Sequence, residues 1–385
     1  MKLHAIQKMI ALLLLKYAVL SSSAVRAFPE MSRFGYFSCT SCHVSPSGGG
    51  LLTPYGQSVA GEKISTWSTP SEGLPLHGWG SKRDKDGTPH QPWLPRWLLL
   101  GGDLRMMQID YQTADRQQGR WIRMQSDLTL GLSLETTTLV VSGGPRGESQ
   151  SRRNLSGKIA PRVYYLKQEI TDFSIRLGRF FPKFGLGIPQ HHTFIRRSLG
   201  FDQGHENLNG ELTWFSEAHE VTFTHMAGVR KQEIDGSDET GNILSWAHFL
   251  NGKHRIGINA LLAQDDLQSR QVIGVFGSFS LGDRWFLLAE ENKQTIRPKN
   301  AAPYDQIIFY HRLGYEPLKG LISSLIIEGI VPQIRELKTR RETIGLGIQW
   351  FPRPHFEFDS MIGTNLNHSD YSFSTTAYII AHYYL

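Results

Sequence analysis

From Ile122 onward, apolar and polar residues alternate along the chain. Ile122, Met124, Leu128, Leu130, Leu132 and Leu134 share one parity, with Ser126 the one polar residue among them. Arg123, Gln125, Asp127, Thr129, Gly131, Ser133 and Glu135 occupy the other. Near the end, Ile344, Leu346, Ile348 and Trp350 alternate with Gly345, Gly347 and Gln349. Phe173, Ile175 and Leu177 interleave with Ser174, Arg176 and Gly178; Val221 and Phe223 with Thr222 and Thr224; and Ile273, Val275, Phe279 and Leu281 with Gly274, Ser278 and Ser280. A period of two places each set on one face of a β-strand, and helical spacing fits these windows worse.

Such segments recur from about Arg96 to Leu385, divided by polar turns. The longer breaks are Gly144 to Gly157, Gly200 to Gly210, Lys231 to Asn242, Lys293 to Pro303 and Arg335 to Arg341. Shorter reversals fall at Ser216-Glu217, Asn251-Gly252, Gly282-Asp283 and Pro352-Arg353-Pro354. Long loops alternating with tight turns are the plan of an outer-membrane barrel, and the spacing predicts about 16 antiparallel strands. The expected fold class is therefore all-β, a transmembrane outer-membrane β-barrel over residues 96–385. Phe373, Thr375, Ala377, Ile379, Ala381, Tyr383 and Leu385 form one face of a closing strand. It resembles the final strand of bacterial outer-membrane barrels, although Leu385 stands where that group usually has Phe or Trp. Trp97, Trp121, Trp285, Trp350, Tyr383 and Tyr384 suit aromatic girdles at the two lipid boundaries.

Composition agrees with this pattern. Of the 385 residues, 40% are hydrophobic and 11% aromatic, yet no second long apolar run follows the N-terminal one. This excludes a helical membrane bundle but not a barrel, whose lipid-facing residues hide in the alternation. The formal net charge of +6 drops to +2 once Lys2, Lys8, Lys16 and Arg26 are set aside. The basic balance is no footprint of nucleic-acid binding, and no nucleic-acid partner is expected.

Those four basic residues lie in a segment with the plan of a secretory signal peptide. A basic start (Lys2, His4, Lys8) precedes an apolar stretch from Met9 to Leu20, then small residues Ser21 to Ala24. Val25-Arg26-Ala27 offers a cleavage site after Ala27. The expected division is a signal peptide at 1–27, a small functional segment at 28–70, a linker at 71–95 and the barrel at 96–385. Pro70, Pro75, Gly78, Gly80, Pro89 and Pro92 punctuate the linker and its border.

The segment at 28–70 carries the chemistry. Cys39-Thr40-Ser41-Cys42-His43 holds the only two cysteines of the chain. C-x-x-C-H is the attachment signature of c-type haem. Two thiols three positions apart form thioethers with the two vinyl groups of one porphyrin, and the adjacent imidazole reaches the iron. Other uses of C-x-x-C fit less well. A zinc site needs further Cys or His ligands nearby, and no second C-x-x-C exists. A thioredoxin-like dithiol needs a βαβ context. A disulfide here would close a tight loop that constrains little. One covalent haem c is expected, held by Cys39 and Cys42, with His43 as an axial iron ligand.

After the motif comes Val44-Ser45-Pro46-Ser47-Gly48-Gly49-Gly50-Leu51-Leu52-Thr53-Pro54-Tyr55-Gly56. Here the chain resembles a family of exported bacterial porin–cytochrome c fusions. In that family one C-x-x-C-H followed by S-P-x-G-G-G-x-L-x-x-Y-G precedes an outer-membrane barrel. The match covers Phe28 to about Trp67. The barrel shares architecture and an R-x-G-R-F-x-P-x-[FY]-G-like segment at Arg176 to Gly185. The resemblance implies a mono-haem cytochrome fused to a porin-like barrel in the bacterial outer membrane. Its partners would be outer-membrane lipid and periplasmic or extracellular cytochromes or another redox protein. The glycines lack the Lys-Ser/Thr and strand–helix context of a phosphate loop, and read instead as letting backbone pass close to a porphyrin face.

Met31 and His77 are candidates for the distal iron ligand, with His90 behind them and an open sixth position as the alternative. His191-His192, beside Arg196 and Arg197, reads as a pore-lining loop folded into the lumen or as an exposed basic loop. No nucleophile–base arrangement stands out, so an electron carrier or porin is expected rather than a catalyst. Two functions remain in play. One is electron transfer at or across the outer membrane, with the haem segment periplasmic or inside the lumen. The other is diffusion of small solutes, with the haem segment as plug, gate or redox sensor.

Overall fold

The structure is a computed structural model that describes residues 29–36, 38–145, 159–190, 192–229 and 238–385. The signal peptide expected at 1–27, His191, and parts of the loops expected at Gly144 to Gly157 and Lys231 to Asn242 lie outside the described residues.

A two-stranded hairpin, β1 (Lys82–Arg83) and β2 (Pro89–His90), precedes the barrel. The barrel strands begin with β3 (Leu98–Gln112), β4 (Gln117–Leu134), β5 (Thr137–Pro145), β6 (Ile159–Ile170), β7 (Phe173–Phe180) and β8 (Asn207–Phe215). They continue with β9 (His219–Ala227), β10 (Thr240–Leu250), β11 (His254–Gln264), β12 (Gln268–Ser280) and β13 (Trp285–Pro298). The last five are β14 (Tyr304–Leu318), β15 (Leu321–Val331), β16 (Arg341–Trp350), β17 (Phe356–Asn367) and β18 (Ser372–Tyr384). Each pairs antiparallel with its chain neighbours, and β18 returns to β3 with Tyr384 opposite Asp103 and Thr375 opposite Gln112. The result is a closed barrel of 16 strands, as the alternation predicts. Closure leaves no edge strand unpaired.

The two parities separate as expected. On β16, Ile344, Leu346 and Ile348 point outward and are 41%, 64% and 53% exposed, while Thr343 and Gln349 are buried inside. On β7, Phe173, Ile175 and Leu177 face out, and Ser174 and Arg176 face in. On β18, Phe373, Ile379 and Tyr383 lie on the outer parity, but Leu385 leaves the strand and borders the lumen.

The alternation misleads on β4. Met124 is buried with Met107, Met361, Tyr378 and Ile380, whereas Leu128, Leu130, Leu132 and Leu134 are exposed on the outside. The pairing jumps from Arg105–Gln125 to Met106–Arg123, so the register with β3 shifts at Met124. One inserted residue forms a β-bulge and exchanges the two faces. Ile122 and Met124 therefore face inward, and Trp121, 72% exposed, takes the outer face.

The chain reverses tightly at one end of the barrel: 135–136, 171–172, 216–218, 251–253, 281–284, 319–320 and 351–355. Leu98 and Tyr384 stand at this same end. The other end carries the long connections 181–206 and 332–340, along with several short ones. The first of these is longer than the break expected at Gly200 to Gly210, and it folds into the lumen. Its Phe184, Leu186, Ile188, Ile195, Leu199 and Phe201 pack against inward residues of β9 to β15, including Ile243, Leu261 and Phe286.

The N-terminal segment enters from the short-turn end. Thr66 and Trp67 donate their backbone N–H groups to the carbonyls of Phe351 (2.8 Å) and Pro352 (2.9 Å). Arg353 reaches Glu72 at 2.7 Å, and Arg33 reaches Glu316 of β14 at 2.7 Å. Deeper in, Arg176 donates to Ser45 Oγ at 2.7 Å and Ser47 Oγ at 2.8 Å.

Candidate functional site

Cys39–Ser41 forms one turn of 3₁₀-helix. The N–H groups of Cys42 and His43 both bond to Cys39 O, at 3.3 and 2.9 Å. With three residues per turn, positions i and i+3 eclipse, so the turn presents the two thiols on one side. Both thiols are buried and not joined to each other.

A short helix, α1 (Pro54–Val59), backs this turn. Its N-cap Thr53 accepts from Gly56 N–H at 3.1 Å, and Thr53 Oγ1 donates to Ser41 O at 2.8 Å. Thr53 N–H bonds to Cys42 O at 2.9 Å. Gly56 lies so close that a Cβ there would stand 2.2 Å from Cys42 O. Between turn and helix, Val44 N–H bonds to Leu51 O at 3.0 Å, and His43 bridges to Leu52. The bend so closed contains Gly48, Gly49 and Gly50, with φ of +78°, +70° and +61°. Residues with a Cβ are strained in that region.

Cys39, Cys42, His43 and these glycines line a cavity of about 260 Å³ inside the barrel. One water needs only ~10–15 Å³. Other walls come from Asp103 and Arg105 of β3, Arg162 and Tyr165 of β6, Phe180 to Pro189, Arg255 of β11 and His382 of β18. A Cβ on Gly49 or Gly50 would project into open space. The donor set (two thiols and an imidazole on one wall) and the side-chain-free backbone beside it fit a porphyrin. Burial pushes the His43 imidazole down to about 4. The ring is then neutral at pH 7 and retains a nitrogen lone pair for a metal. Burial, with Cys39 adding to it, pushes the Cys42 thiol up to about 12.

The other sequence candidates fall elsewhere. Met31 is 2% exposed and packs with Cys42 and Val59, behind the turn and off the cavity wall. His77 packs edge-on against His355 (4.7 Å between ring centroids) and tilted against Phe356 (5.2 Å) at the short-turn end, also off the cavity. His90 contacts Asp84 at 3.2 Å. His192 lies inside the lumen, with Nε2 3.2 Å from Tyr378 Oη.

The two stretches singled out in the sequence meet here. Arg176, first residue of the R-x-G-R-F stretch, is 1% exposed and grips Ser45 and Ser47 of the S-P-x-G-G-G stretch. It also pairs with Glu211 at 2.7 Å and lies 3.6 Å over the Phe180 ring. Its role could have been suspected from the motif alone. Arg105, Arg162 and Arg255 could not, since each is one more polar residue on the inner parity of a strand.

No protein-family model matches the chain, and no curated protein sequence matches it. Solved structures do. An in-vitro folded trimer form of OmpT, an outer-membrane protein of Vibrio cholerae, superposes with a TM-score of 0.58 at 12% identity, covering 75% of this chain and 99% of that one. An anion-selective porin from Comamonas acidovorans gives 0.55 at 11% identity, covering 75% and 99%. The outer-membrane channel DcaP of Acinetobacter baumannii gives 0.54 at 11%, covering 75% and 97%. At such identities the likeness establishes the fold: this chain is built as a porin-like β-barrel.

Proposed function

We propose that the chain is an outer-membrane mono-haem c-type cytochrome fused to a porin-like barrel, and that it takes part in electron transfer at or across that membrane. The observation that carries this is the convergence of Cys39, Cys42 and His43 on one cavity whose other walls include inward residues of the barrel strands. Cys39 and Cys42 would tether the porphyrin and His43 would bind its iron. A bound haem supplies a one-electron iron couple. Gly48 to Gly50 keep side chains off the porphyrin plane, and Arg176 clamps the attachment segment to β7. The outward ring of Leu, Ile and Phe supports a lipid-facing surface, since soluble monomers rarely expose so much contiguous apolar area.

One haem does not bridge an apolar band ~25 Å tall, so conduction through the membrane requires a partner cytochrome or other redox protein. The porin-like fold favours a second reading, a diffusion pore with the N-terminal segment as plug or gate. Against free diffusion stands the lumen itself, filled from one side by that segment and from within by the loop at 181–206. The haem assignment is tested by denaturing electrophoresis of protein made in a host that matures c-type cytochromes. A band that stains for haem is expected, and Cys39→Ala with Cys42→Ala should abolish the stain. A variant that still stains defeats the proposal.

A further inference from the structure

Five cationic side chains border the cavity: Arg105, Arg162, Lys183, Arg196 and Arg255. Lys183 pairs with Glu220, and Arg162 with Asp127. Among the described residues, the ion-pair contact of Arg105 is a long one to Asp103, at 3.7 Å. Among the described residues, Arg196 and Arg255 have no carboxylate at ion-pair distance. The Nε atoms of Arg105, Arg196 and Arg255 are buried without a hydrogen-bond partner. A guanidinium taken out of water without an anion is costly, so an anion is expected in this space.

The cations differ in depth. A Cβ on Gly101, the fourth residue of β3, would stand 2.9 Å from Leu51 Cδ1, which sets the attachment segment near the short-turn end, and Arg255, the second residue of β11, is at that end too. Arg105 is the eighth residue of β3, and Arg196 belongs to the inner loop that enters from the other end. Glu290 of β13 is already engaged by Leu186 N–H (2.8 Å) and Asn292 Nδ2 (2.9 Å). In a porphyrin, the vinyl groups that join cysteines and the two carboxylate side chains lie on opposite edges. A porphyrin held at Cys39 and Cys42 therefore turns its carboxylates toward the wall that bears Arg105 and Arg196.

We propose that Arg105 and Arg196 bind the haem carboxylates, so that the barrel and its inner loop complete a site that the C-x-x-C-H segment only begins. This rests on the haem reading above. Arg196 would compensate one carboxylate and Arg105 the other, turning from its long contact with Asp103 to the ligand. The same two cations could instead hold a free carboxylate solute, and the test separates these sources.

The full chain is purified from a cytochrome-maturing host as wild type and as Arg105→Gln, Arg196→Gln, Arg105→Lys and Arg196→Lys. The thioethers hold the haem independently, so haem content should equal wild type in all four. The Gln variants should show a more negative midpoint potential, because a cation that favours the reduced iron is lost, and a shifted carboxylate vibration. The Lys variants should restore much of both. Haem-loaded Gln variants with wild-type potential and wild-type carboxylate vibration would overturn the proposal. A wild-type chain without haem would defeat the underlying reading instead. In that case, an anion preference in planar-bilayer current lost in Arg196→Gln would assign the pair to a free anion.

Discussion

Gly56 shows how closely single residues set the geometry of the site. A methyl group there would meet the Cys42 carbonyl at 2.2 Å, a backbone atom that cannot swing aside. Gly56→Ala should push helix α1 off the 3₁₀ turn and cost about 1–3 kcal/mol, the range for overpacking a tight contact. The expected outcome is a loss of haem per polypeptide, read from the absorption of the purified protein. The barrel should remain folded, which heat-modifiable migration on gels would report. Unchanged haem content in Gly56→Ala would show that the helix does not brace the turn. At this scale C-x-x-C-H was legible, because covalent attachment demands adjacent residues. Arg176 was marked by its motif and Arg196 by its basic loop, whereas Arg105 was not legible as a site residue, because its place on the cavity wall arises only when the barrel closes around the segment. His77 and Met31 were plausible ligands by type; His77 packs edge-on against His355, Met31 packs with Cys42 and Val59, and neither lines the cavity.

Strands were the most readable elements. Period two places Leu346 outside and Gly345 inside with no knowledge of the partner strands. The bulge at Met124 was not readable, because an inserted residue leaves composition unchanged and alters only the register with β3. The loop at 181–206 was partly readable: its Gly, Pro and Arg content signalled a break, but Phe184, Leu186, Ile195 and Leu199 bury as a core would. The outer faces yield a direct prediction. Leu346 is 64% exposed at the middle of β16. If this face meets lipid, Leu346→Lys costs roughly 2–4 kcal/mol. On a water-exposed face the same change costs close to nothing. The folded fraction of Leu346→Lys in bilayers should therefore fall in urea titrations relative to wild type. Equal midpoints would place this face in water.

For the whole molecule, closure of β18 on β3 and the seating of the N-terminal segment are linked. His355 stands within 2.6 Å of Tyr384 O and 2.7 Å of Leu74 O, joining the last strand to the chain that leaves the lumen. With Arg353–Glu72 and Arg33–Glu316 it fixes the segment at three points of the short-turn end. A barrel so filled should pass little ionic current. In planar bilayers the wild-type chain should show far lower conductance than an open 16-stranded porin, and a steady open-pore current would favour the diffusion reading. The strand number was legible in advance; the alternation of long and short connections was so only in part, since the long break expected at Lys293 to Pro303 is the short turn 299–303, with β13 running on to Pro298. A loop folded into the lumen and a plugging segment were among the readings the sequence offered, but the contacts that seat the segment, such as Arg33–Glu316, join residues remote in sequence.

The most direct test is the intact mass of the mature chain extracted from the membranes of a cytochrome-maturing host. The account predicts a polypeptide heavier by one haem, with the added mass removed by Cys39→Ala together with Cys42→Ala. A mature chain at the bare polypeptide mass, with both thiols free to alkylate after unfolding, would contradict it.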